Sequence, residues 1–85
     1  MPTILRFRNF RVVIWPNDHT PAHVHALRSA DFAIVILSCW NGVPYMRESK
    51  GITAAEHRAI LKFVKDNQTT LCEAWEAIHG DPTRA

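Results

Sequence analysis

The chain has little of what marks several function classes on sight. Only three of its 85 residues are glycine, too few for a glycine-rich loop that could cradle a phosphate. There are two cysteines, Cys39 and Cys72, in apolar surroundings and without CxxC spacing, so they form no redox motif or thiolate metal cage. The expectation is two free thiols in a reducing cytoplasm. No apolar run approaches the ~18 residues of a membrane span. Met1-Pro2-Thr3 leads straight into alternating polar and apolar residues with no leader pattern, which fits a cytoplasmic protein with no membrane partner. No serine or cysteine nucleophile motif, paired-carboxylate site, internal repeat or low-complexity segment is present.

What is there describes a small folded domain. A hydrophobic content of 47% with 21% charged residues excludes intrinsic disorder. Residues 1–85 read as one domain, and a chain of this size buries about 60–65% of the surface its unfolded form exposes, so association would add useful stability. The formal net charge is only +2, but residues 1–30 hold Arg6, Arg8, Arg11 and Arg28 against Asp18 alone. A basic N-terminal region suits an acidic partner or a phosphate backbone, or it is a solvated strand face.

The first half reads as strands. Thr3 to Arg8 alternates, with Leu5 and Phe7 on one face and Arg6 and Arg8 on the other. A turn at Arg8-Asn9 leads to a second strand, Phe10 to Trp15, and the loop 16–21 is polar and proline-flanked. Ala22 to Arg28 and Phe32 to Ser38 follow as third and fourth strands of an antiparallel meander. Apolar residues on both faces of Phe32–Leu37 imply a central strand, or a second face that meets a partner or another copy of the chain. Tyr45 to Glu48 is an edge strand or an ordered loop. Thr53-Ala54-Ala55-Glu56 is a capping box that starts a helix. Leu61, Val64, Leu71, Trp75 and Ile78 then keep a helical seam in which only Gln68 is out of step. Asp66-Asn67-Gln68 favours two helices or one bent helix, ending at Gly80 before Asp81-Pro82. The expected architecture is α+β: a meander of about four strands, followed by a helical segment packed on one sheet face.

The most informative segment is Pro21-Ala22-His23-Val24-His25. Residues i and i+2 of a strand share a face, so His23 and His25 stand side by side, roughly 7 Å apart by strand rise. His19 lies four residues before His23. Three imidazoles match the ligand number of some catalytic zinc sites, with His19, His23 and His25 as ligands and Asp18 as a fourth ligand or an acceptor for an imidazole N–H. Alternatively, two imidazoles near pKa ~6.5 can divide acid and base roles. With Arg6, Arg8, Arg11 or Arg28 holding a phosphate, that is the minimal kit for metal-free RNA cleavage through the 2′-hydroxyl. The plain alternative makes His23 and His25 the outer side of a strand whose inner side is Val24 and Ala26. Trp15 and Trp40 flank the loops around this segment, either as exposed anchors of an interface or as packed residues. Trp75 reads as core, and His79 near a helix C-terminus needs no function.

The chain resembles a family. Met1-Pro2-Thr3-Ile4, Phe10-Arg11-Val12, Asn17-Asp18-His19 and the His23-Val24-His25 segment are similar to the opening of small bacterial proteins of the domain of unknown function 4160 family. Gly51-Ile52, Glu56, Asn67, Leu71, Glu73-Ala74-Trp75 and His79-Gly80 continue the likeness. Ala22 and Ala26 depart from it, standing where proline and valine are common. The resemblance implies one half of a two-gene module of the toxin–antitoxin kind, acting through a complex with a small protein encoded nearby. It carries over only His23 and His25, as the family's functional centre, without an activity. The expectations are therefore a binding role through the basic sheet and the Trp15/Trp40 region, a small ribonuclease using His23 and His25, or a histidine-based metal protein.

Overall fold

The computed structural model of the chain describes residues 3–82. The Met1-Pro2 start of the family-like opening lies outside the described residues. Five strands are present: β1 (Thr3–Phe7), β2 (Phe10–Val13), β3 (His23–Arg28), β4 (Asp31–Ile36) and β5 (Tyr45–Lys50). They form one antiparallel sheet in chain order, and two helices follow, α1 (Ala54–Asp66) and α2 (Gln68–His79). The α+β meander expected from the sequence is what is seen, with one more strand. Tyr45 to Glu48 is the edge strand rather than a loop, and it runs on to Lys50. It was hard to read because its ladder with β4 is irregular: Val35 pairs with Met46 and Ile34 with Glu48, leaving Arg47 as the bulged residue.

Strand periodicity divides the sheet into two faces. Phe10, Val12, Ile14, Val24, Ala26, Ala33, Val35 and Leu37 point toward the helices and join Ile60, Val64, Leu71, Cys72 and Trp75 in one core. Each large aliphatic or aromatic side chain fully buried there contributes about 1.5–3 kcal/mol. β4 lies between β3 and β5; Ala33 and Val35 face the core, while Phe32 and Ile34 on its other face are half-buried.

The capping box is complete. The Thr53 hydroxyl accepts from the Glu56 N–H, and the Glu56 carboxylate accepts from the Thr53 N–H. The helical segment is two helices, divided at Asn67. That residue leaves helical geometry at ψ 18°, and its side-chain amide donates to the Phe63 carbonyl. Gln68, out of step in the apolar seam, is buried for a reason: its Nε2 lies 2.7, 3.1 and 3.0 Å from the carbonyls of Leu37, Ser38 and Gly42. It ties the chain leaving β4 to the start of α2. Of the expected seam, Val64, Leu71 and Trp75 are buried and are joined by Ile60 and Cys72, whereas Leu61 is half-buried and Ile78 is 39% exposed.

The expectation of two free thiols is corrected. Cys39 and Cys72 are joined in a disulfide with their Cα atoms 6.0 Å apart. Their 33-residue separation hid the pairing. Only the return of α2 across the end of β4 brings the two together. No helix among the described residues is long and apolar enough to cross a membrane.

Candidate functional site

The register places His23 opposite Ile36 and His25 opposite Val13 and Ile34, out of phase with core-facing Val24, at the end of β3 where Trp75 of α2 reaches the His23 ring. Val24, between them, is fully buried in the core. The two imidazoles meet edge to face with ring centroids 5.2 Å apart. Neither is a freely solvated side chain, for the exposures are 7% for His23 and 18% for His25.

What covers them is the loop between β2 and β3. Asp18 closes a turn onto Trp15: its N–H donates to the Trp15 carbonyl at 3.1 Å, and its Oδ2 accepts from the Trp15 N–H at 2.9 Å. Pro16, at the second position of this four-residue turn, has its φ already set for it. The turn aims the carboxylate at both rings, with Oδ1 3.6 Å from His23 Nε2 and Oδ2 3.7 Å from His25 Nδ1. Both gaps exceed hydrogen-bond length.

The tautomer of His23 is fixed by a backbone carbonyl. Its Nδ1–H donates to the Pro21 oxygen at 2.8 Å, so in the neutral ring the lone pair sits on Nε2, facing Asp18. His25 Nδ1 is buried without a hydrogen-bond partner among the described residues. Burial lowers the His25 pKa below its ordinary 6.5; Asp18 acts in the opposite direction, while His23 and Arg47 reinforce the lowering. Its neutral form is therefore favoured.

The ladder between β2 and β3 ends at Val13 and His25, and beyond it α2 supports the site from below. The His23 ring lies 5.3 Å from Trp75, and Trp75 lies 4.2 Å from His79. His79 Nε2–H donates to the Trp15 carbonyl at 2.9 Å. The turn holding Asp18 and the ring of His23 thus rest on one helix end. In front, a cleft of about 550 Å³ is lined by Asp18, His19, His23, Ile36, Tyr45 and Arg47, among others.

The residues singled out in the sequence fall into different places. His19 lines the cleft, but the grouped ligand atoms belong to Asp18, His23 and His25, all within 4.8 Å of one another. Arg6 and Arg11 are directly paired across β1 and β2 on the histidine-bearing face. Arg8 sits in the β1–β2 turn, its guanidinium over the Phe7 ring. Arg28 is taken by structure: it pairs with Glu56 and with Asp31, donates to the Gly51 carbonyl, and lies over Phe10. It cannot also hold a phosphate beside the histidines. Trp15 is half-buried and serves through its backbone, whereas Trp40 is 38% exposed next to the disulfide. Two residues of the site had no sequence signal: Arg47, set by the β5 bulge, and His79, brought in by the helical return.

No curated protein and no solved structure matches the chain. Residues 9–76 match the family model described as a domain of unknown function, DUF4160, and the chain belongs to that family.

Proposed function

We propose that this chain is a binding component of a bacterial toxin–antitoxin-like pair, acting in the cytoplasm through a complex with a small acidic protein encoded nearby. One observation supports the reading above the others. The pairings Arg6–Arg11, Arg11–Leu27, Leu27–Phe32 and Phe32–Lys50 make one continuous row across all five strands, on the face the helices leave uncovered. Like charges directly opposite each other are destabilising, and Arg6 and Arg11 have no ion pair among the described residues. Leu27 and Phe32 are half-buried yet lie outside the core cluster. An apolar centre flanked by uncancelled cations fits an acidic, amphipathic protein segment.

Co-expression with the product of the adjacent gene tests this. A complex should form, and Arg6→Glu/Arg11→Glu should weaken it tenfold or more, with the wild-type affinity falling as salt rises. A complex indifferent to the charge reversal would overturn the assignment of the face. Self-association alone, or retention of RNA lost in the same variant, would overturn the choice of partner.

The ribonuclease reading has weaker support. Of the arginines it calls on, Arg28 is committed elsewhere. Both imidazoles also face the Asp18 carboxylate. The Cys39–Cys72 disulfide does not separate the two readings and counts against the cytoplasmic setting of both, since a reducing compartment disfavours such a bond.

A further inference from the structure

We propose that Asp18, His23 and His25 form a binding site for a single divalent transition-metal ion of the zinc type, with one position open to the cleft. The site is independent of the partner-binding row on the sheet. Its ligand set is two imidazole nitrogens and one carboxylate oxygen, which suits first-row transition metals. Magnesium and calcium prefer all-oxygen shells.

Geometry carries the inference. A tetrahedral zinc with bonds of about 2.0–2.1 Å holds its ligand atoms about 3.3 Å apart. The observed separations are 3.6 Å from Oδ1 to His23 Nε2 and 3.7 Å from Oδ2 to His25 Nδ1, one carboxylate oxygen toward each ring, and the grouped ligand atoms all lie within 4.8 Å of one another, so the ligands close in modestly around one ion. The two gaps are too long for hydrogen bonds and suited to an atom placed between. A plain imidazole–carboxylate pair would close to hydrogen-bond length, and an aspartate needed only for its turn would not have to face two rings.

The surroundings prepare the ligands. The Pro21 carbonyl takes the Nδ1 proton of His23, the arrangement that leaves a metal-binding lone pair on Nε2. The Trp15 N–H holds one oxygen of Asp18. His25 Nδ1 is buried and without a partner, aimed at the same carboxylate. A buried polar atom left unpaired is costly, and a cation bound there removes the cost. Three protein ligands leave a fourth position, and the cleft bordered by Tyr45 and Arg47 is where it faces.

The test titrates the metal-free full-length chain with zinc alone, against a competing chromophoric chelator, and follows thermal unfolding in parallel. The expected result is one zinc per chain with a rise in melting temperature. Asp18→Asn keeps the acceptor for the Trp15 N–H and the side-chain shape, so it should fold. It should weaken zinc at least tenfold and remove the thermal rise, and His23→Gln and His25→Gln should do the same. His19→Gln should bind zinc like the wild type. Cobalt in place of zinc should give a visible absorption band that disappears in Asp18→Asn. Absence of saturable binding by the wild type, or binding undiminished in all three ligand variants, overturns the site. Loss of binding in His19→Gln overturns this ligand set.

Discussion

At one end of β3, Arg28 meets Asp31, Glu56 and the Gly51 carbonyl, with its guanidinium over Phe10. At the other end, Asp18 faces His23 and His25 across gaps of 3.6 Å and 3.7 Å, with one imidazole nitrogen orphaned. The first cluster is complete in itself. It joins the β3–β4 turn to the first turn of α1, and its one cation is paired with both carboxylates. The second is held in place by backbone groups while its own polar atoms stay apart. A satisfied ionic cluster is spent on the fold; a cluster kept open against that cost is available for a ligand.

The open end is also the more heavily braced. The disulfide and Gln68 both fasten the segment after β4 to α2 there. The largest expected effect on the comparison comes from removing the first brace. Cys39→Ser/Cys72→Ser frees a 33-residue separation, which on loop-closure entropy costs about 3–4 kcal/mol. Denaturant unfolding with and without reductant checks it. A loss near zero would mean that the histidine end is held by packing alone.

Gln68→Ala removes the donor shared by three carbonyls and should cost about 1–3 kcal/mol. Because α2 also supports Trp75 and His79 beneath the site, the variant should disturb the His23 environment while leaving the Arg28 cluster intact. Imidazole resonances followed by NMR would separate the two ends. Equal disturbance at both would contradict their independence.

The smallest effect is the most selective, because the ends should respond to different pH windows. In the metal-free protein, burial lowers the folded-state pKa of His25 below 6.5 against the balance of Asp18, His23 and Arg47. The unfolded chain then binds the proton more readily, so stability is full above 6.5 and declines as pH falls below it. Glu56, hydrogen-bonded to Arg28 and to the Thr53 N–H, is lowered from 4.5 to about 2. Its contribution is present above 4.5 and lost as pH falls from there toward 2. His25→Gln should flatten the upper window of a melting-temperature profile, and Glu56→Gln the lower. A single variant that flattened both would show one coupled network.

Much of this was legible in the residues. Strand period placed His23 beside His25 and Val24 in the core, and Thr53 with Glu56 announced the start of α1. Asn67 marked the helix break because its amide competes for a helical carbonyl. Other parts were not legible, for particular reasons. Arg28 looked like one more member of a basic surface, since nothing local says that Glu56, 28 residues on, will meet it. The β5 bulge sets the place of Arg47, and a bulge is an irregularity of pairing rather than of composition. Asp18 was recognisable as a neighbour of the histidines, but its preference over His19 came from the turn onto Trp15.

The sequence by itself determined the first four strands, their apolar sides and the start of α1, because these follow from backbone sterics and periodicity within a few residues, while β5 was left between strand and loop. Only the tertiary structure decided which arginines remain free, that Cys39 and Cys72 meet, and that one aspartate and two histidines converge over α2. Those outcomes depend on distances between segments far apart in the chain, fixed when the helices close over one face of the sheet.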